Sequence, residues 1–127
     1  MVQAAIDSSA LIGYLSGAER PDTRLVHQLL SAGTAVLPPV VVTEVLSQPG
    51  LPKNVAALIS ALEILPVTDG FWERAGRTRS QVIAKGRRAR LADTLIAQAC
   101  LDYDIPLITN DADFKRFAAV VGLHLLP

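Results

Sequence analysis

The sequence predicts an α/β protein in which a parallel sheet is covered on both faces by helices. Two observations carry this. Short apolar runs alternate with segments of helical periodicity, and no repeat, linker or low-complexity stretch breaks the alternation. A third is size: 127 residues, half of them apolar, suit one domain spanning 1–127 with a core buried on several sides.

"VQAAI" (2–6) reads as the first strand and ends at Asp7. Ser8 or Ser9 is then expected to cap a helix over "ALIGYLSG" (10–17), with Gly17 near its end. "DTRLVHQLLSAG" (22–33) places Leu25, Val26, Leu29 and Leu30 at helical spacing and stops at Gly33. "TAVLP" (34–38) is the second strand. In "PVVVTEVLSQPG" (39–50) the valines favour a strand, but Pro38–Pro39 suits the first turn of a helix, and a helix is expected. A helix over 52–62 and a third strand over 63–67 follow. A longer helix (69–86) ends at Gly86, and "LADTLIAQACLDYD" (91–104) makes a strongly apolar helix. A fourth strand (106–109), a short helix (111–122) and a fifth strand (123–127) complete the series.

The longest run without a charged residue, 25–43, is broken by His27, Gln28, Gly33 and Pro38–Pro39, so no membrane helix of ~20 apolar residues is expected. The start lacks the basic flank of a secretory signal. Cys100 is the only cysteine, so no internal disulfide can form, and a cytoplasmic location is expected. Its helical surroundings suit a small core residue rather than a reactive thiol. Net charge is zero, yet seven of the twelve basic residues fall between Arg74 and Arg90. Such a run is ordinarily a solvated helix face; here Lys85, Arg87, Arg88 and Arg90 immediately precede the helix that carries Asp93, where they would hold phosphates.

The acids are placed unusually. In an open parallel sheet, ligands sit at the carboxyl ends of the strands. Asp7 closes the first strand, and Asp111 and Asp113 follow the fourth in "LITNDADF". Glu44 is embedded in "VVVTEVL", and Asp93 shares a helical face with Ile96, Ala97 and Cys100. Each has an ordinary structural use. Asp7 can start a helix, Asp93 can oppose a helix dipole, Asp111 or Asp113 can cap, and Glu44 can reach solvent. All four uses holding at once is a poor explanation of the set. If the acids converge, two carboxylates ~4 Å apart repel by about 4 kcal/mol at an effective dielectric of ~20. The cluster then takes up protons or binds a hard cation. Oxygen ligands without cysteine favour Mg²⁺, or Mn²⁺, over zinc. His27 and His124 lie in patterns away from the acids and read as structural. Such a centre suits phosphodiester hydrolysis, with one or two ions, Thr109 orienting a water and Asn110 holding the turn.

With these residues in place the chain resembles PIN-domain proteins, most of all the VapC ribonuclease toxins of toxin–antitoxin pairs. The matching pieces are "AIDSSALIGYL", "VVTEVL", "LADTLIAQAC" and "LITNDADF", in that order and over essentially the whole chain. The resemblance implies a doubly wound α/β/α sandwich with a central parallel sheet. It implies a metal-dependent endoribonuclease with acidic roles on Asp7, Glu44, Asp93 and Asp111, and Asp113 at an often acidic position. It also implies a homodimer and a VapB-like antitoxin whose amphipathic C-terminal segment fills a groove beside the acids, lined by helices such as 8–16 and 39–48. A basic side chain of that segment would pair with the acidic cluster. Two rivals fail on single residues. A haloacid-dehalogenase-like phosphatase needs a second aspartate where Ser9 stands, and a receiver domain needs a lysine where Thr109–Asn110 stands. A catalytically inactive PIN-fold module that binds RNA or protein is the remaining alternative, and the intact acidic set weighs against it.

Overall fold

The computed structural model describes residues 3–127 and consists of five parallel strands and seven α-helices. In chain order these are β1 (Ala4–Ile6), α1 (Ser8–Leu15), α2 (Pro21–Ala32), β2 (Ala35–Leu37), α3 (Pro39–Leu46), α4 (Lys53–Ala61) and β3 (Glu63–Ile64). Then come α5 (Phe71–Ala84), α6 (Leu91–Tyr103), β4 (Leu107–Ile108), a single 3₁₀ turn (Ala112–Phe114), α7 (Lys115–Val121) and β5 (Leu125–Leu126). The spatial strand order is β3-β2-β1-β4-β5, every neighbouring pair parallel. This is the doubly wound α/β/α sandwich the sequence leads one to expect. Val2, placed in the first strand from sequence, lies outside the described residues.

Strand burial follows from the layering. β1, β2 and β4 are uninterrupted apolar runs whose residues are all buried, as a parallel sheet covered on both faces requires. The edge strands differ: β3 is exposed and β5 is half-buried. The strand order winds outward in both directions from the β1–β4 pair. That pair is therefore the topological switch point, the place where such sheets open a crevice.

The ambiguous valine segment is helical. Pro38 occupies the N-cap and Pro39 the first turn, where a missing N–H is harmless. Val41 and Val45, four apart, then face the core. At the start of α1 one expectation fails. Neither Ser8 nor Ser9 caps the helix: both lie inside it, and Asp7 holds the N-cap backbone position without a side-chain cap bond. Both hydroxyls are instead bound to carboxylates, described below.

Two polar anchors set the helices that carry the site. Arg74 on α5 donates from Nε and Nη2 to the Asp102 carboxylate of α6, at 2.9 and 2.6 Å. Gln98 donates to Asp102 and accepts from Thr78, which extends the link along the α5–α6 contact. The hydrogen bonds from Arg74 hold the Asp102 carboxyl below the usual carboxylate range. On the other side Arg20 pairs with the buried Asp22, and its guanidinium lies over Gly13 of α1.

The two glycines inside helices therefore answer the same substitution with opposite signs. A Cβ on Gly13 would fall 2.0 Å from Arg20 Nη2, so Gly13→Ala should dislodge the Arg20–Asp22 pair and lower the thermal midpoint. A Cβ on Gly76 meets nothing within 4 Å, so Gly76→Ala should raise stability by about 0.5–1 kcal/mol. Thermal and urea unfolding of the two variants provide the measurement.

Candidate metal centre

The carboxyl end of β1 and the loop after β4 are stitched together. The Asp7 N–H donates to the Ile108 carbonyl at 2.9 Å, which extends the β1–β4 ladder by one residue. Its buried carboxylate accepts two bonds at Oδ2, from Ser9 Oγ and from Thr109 Oγ1, each at 2.7 Å. Oδ1 is left without a protein partner among the described residues. Thr109 Oγ1 in turn accepts from the Asp111 N–H at 3.0 Å, and Ser9 Oγ accepts from the Asn110 N–H at 3.1 Å. Ser9 and Thr109 thus form one brace that fixes both Asp7 and the loop bearing Asp111.

Asp111 has the capping use anticipated for it: its Oδ1 accepts from the Asp113 N–H at 2.9 Å and starts the 3₁₀ turn. It also belongs to a cluster. Asp93, Asp111 and Asp113 each present a ligand-capable oxygen, and these oxygens lie within 4.8 Å of one another. Asp93 reaches them from the first turn of α6. Glu44, half-buried on α3, accepts from Ser8 Oγ at 2.6 Å. Five acids from four separate segments thus surround the switch point.

Electrostatics registers the convergence. As an acid in the first turn of a helix, Asp93 gains from the helix dipole, which favours the ionised form. Its pKa is nevertheless pushed up to about 6, first by burial, then by Asp111, Asp7, Asp113 and Glu44 in that order. Desolvation and like charge outweigh the dipole. The donor set is wholly carboxylate oxygen, with Cys100 buried in the core and its thiol pushed up to about 12 by burial. The residues present therefore fit a hard divalent cation and suit zinc poorly.

The basic run divides. Arg74 is held by Asp102, and Arg79 donates to the Ala89 carbonyl at 2.8 Å, tying the segment before α6 to α5. Lys85, Arg87, Arg88 and Arg90 are exposed, with no ion pair from their side chains among the described residues. His27 bonds to Tyr14 across α1 and α2, away from the acids. Sequence reasoning missed two features. Ser8 and Ser9 serve the carboxylates rather than the helix end. Arg116 pairs with Asp113 at 3.2 Å, a contact foreshadowed only by the three-residue spacing between them.

A doubly wound sandwich with carboxylates gathered at its switch point defines a class of α/β proteins whose site residues suit a hard cation. Residues 4–120 match the PIN domain family, and the chain belongs to it. It is similar to ribonuclease VapC5 of Mycobacterium tuberculosis, with 29% identity over 68 residues. That match takes in 54% of this chain and 50% of the relative, so the chain spans about half the length of the curated protein it matches. The fold is similar to VapBC2 from Rickettsia felis, solved with a DNA fragment from its promoter, at 20% identity and a TM-score of 0.76. That match covers 98% of this chain and 97% of the other. It is likewise similar to the toxin–antitoxin VapBC-5 of Mycobacterium tuberculosis, at 21% identity, a TM-score of 0.65, and coverage of 99% and 98%.

The raised Asp93 pKa has a consequence for stability. Between about pH 4, where an unfolded aspartate titrates, and about pH 6, the folded chain holds a proton that the unfolded chain has released. The contribution of Asp93 to stability therefore falls as pH rises through that window. Asp93→Asn should raise the midpoint of metal-free protein at about pH 8 and leave it little changed at about pH 4. Calorimetric melts of both proteins in EDTA would test the difference.

Proposed function

We propose that this protein is a metal-dependent endoribonuclease, the toxin member of a VapBC-like pair. The observation that carries the reading is the convergence of Asp93, Asp111 and Asp113, with Asp7 and Glu44 adjoining, at the switch point of a PIN-family sheet. Asp7, Glu44, Asp93, Asp111 and Asp113 are the residues that would hold Mg²⁺ or Mn²⁺. When bound, the cation supplies charge neutralisation at the phosphate and acidification of an attacking water. The protein supplies the rest. Ser9 and Thr109 hold Asp7 in one orientation, Ser8 holds Glu44, and Asp111 shapes the turn that presents Asp113. Similarity to a relative named as a ribonuclease supports RNA as the substrate.

Lys85, Arg87, Arg88 and Arg90 are assigned to RNA phosphates. Their exposed side chains lie on the segment that leads into the helix of Asp93. The partner is a VapB-like antitoxin, a reading supported by the neighbours being VapBC complexes. A recess of about 170 Å³ between α1, α3 and the start of α4, lined by Ile12, Leu15, Val45, Leu51 and Val55, suits the apolar face of an amphipathic segment. It lies on the two helices that present Ser8 and Glu44, so an arginine from such a segment would reach the acids. A homodimer has an apolar surface available on α5 and α6, where Trp72 is 61% and Leu91 62% exposed. A cytoplasmic setting agrees with the reduced, buried Cys100, and no helix among the described residues is long and apolar enough to cross a membrane.

Purified protein should cleave single-stranded RNA in Mg²⁺ or Mn²⁺ and lose that activity in EDTA. Asp7→Asn and Asp93→Asn should each reduce cleavage by about 10²-fold or more while remaining folded. Full activity in EDTA would exclude the metal mechanism, and no cleavage by wild type in any metal would return the chain to a binding module. Replacing Arg87, Arg88 and Arg90 by alanine together should weaken RNA binding and reduce the slope of log K against log salt by up to about 2, at ~0.7 for each phosphate no longer neutralised. An unchanged slope would make this run a solvated face.

A further inference from the structure

Among the described residues, Arg116 is the one cation paired with the carboxylate cluster. Its Nη2 lies 3.2 Å from Asp113 Oδ1, and its Nη1 donates to the Arg88 carbonyl at 3.3 Å. The guanidinium therefore stands at the joint between the acids and the basic segment 85–90. Both contacts are longer than the 2.7–2.9 Å usual for charge-assisted bonds, and the Arg116 and Asp113 side chains are each about a third exposed. The pair is loose enough to exchange.

Its position gives the guanidinium two competing partners. Without a cation, the cluster carries several like charges on half-buried oxygens, and Arg116 offsets one of them. A divalent ion drawn to the same Asp113 carboxylate competes with it directly. Once the ion neutralises Asp113, the guanidinium loses its anionic partner but keeps its anchor to the Arg88 carbonyl. A planar fork held beside a metal centre and a row of exposed cations matches the geometry of a phosphate diester.

We propose that Arg116 is an RNA-phosphate ligand that rests on Asp113 until a divalent cation displaces it. This inference rests on the metal-dependent reading of the cluster. It assigns substrate contact to the start of α7, a different element from the basic run before α6, and it makes cation binding and strand binding cooperative through one side chain.

The test uses the full chain with Arg116→Ala and Arg116→Lys. Calorimetric titration with Mn²⁺ should give about two- to five-fold tighter binding for Arg116→Ala than for wild type, because an exposed competing charge is gone. Arg116→Lys should restore affinity towards the wild-type value. Binding of a fluorescent oligouridylate, read by anisotropy in Ca²⁺, should weaken about ten-fold in Arg116→Ala and be only partly recovered by lysine. Thermal melts should show Arg116→Ala slightly below wild type in EDTA, where the offsetting charge is lost, and no lower than wild type in saturating Mn²⁺. Equal or weaker Mn²⁺ binding by Arg116→Ala, or unchanged RNA affinity, would overturn the assignment. Because neither readout requires turnover, failure of the nuclease reading shows separately, as absence of cleavage by wild type in Mn²⁺.

Discussion

Like charges brought together out of water repel, and the arrangement around Asp93 answers to that repulsion. Burial acts first on this one side chain, and four carboxylates add to it. Nothing in helix propensity or core packing asks for such a grouping. The surrounding hydroxyls relieve only part of it: Ser8 donates to Glu44, and Ser9 and Thr109 donate to the same oxygen of Asp7. The site is thus pre-formed and only partly compensated, with Arg116 meeting Asp113 alone of the acids, a condition under which a divalent ion gains from entering.

The scaffold bears this strain because its core does not share it. Ile6, Ile96, Ala97, Leu107 and Ile108 are fully buried in the sheet and helix that carry the acids. α6 is further fastened to α5 through the Arg74, Asp102, Gln98 and Thr78 chain, well away from Asp93 along the helix. A carboxylate at one end of α6 is thus opposed by an ion pair near the other, and the helix cannot easily swing to separate the acids.

The fold was legible in the sequence because its signals are local. Alternating apolar runs, Gly33 at a helix end and Pro38–Pro39 at a helix start each report the backbone within a few residues. The acids were legible because an acid on an otherwise apolar helix face, as at Glu44 and Asp93, conflicts with its neighbours. What stayed hidden is tertiary. The serines after Asp7 look like caps in one dimension, and only the approach of α3 and the β4 loop converts them into donors for Glu44 and Asp7. Nothing in one dimension singles out Arg116, which meets Asp113 only because the 3₁₀ turn directs that carboxylate back at it. The seven cations between Arg74 and Arg90 were distinguishable only when Asp102 and the Ala89 carbonyl claimed Arg74 and Arg79.

The brace formed by Ser9, Thr109 and Asp7 joins residues about one hundred positions apart in a short chain. Such contacts close late, after the loops between them have been ordered. During synthesis the first strand, with Asp7 and its serines, leaves the ribosome long before β4 and the acids behind it. A growing chain therefore carries no complete cluster until β4 and the loop that bears Asp111 and Asp113 have emerged, and translation itself delays the appearance of the centre.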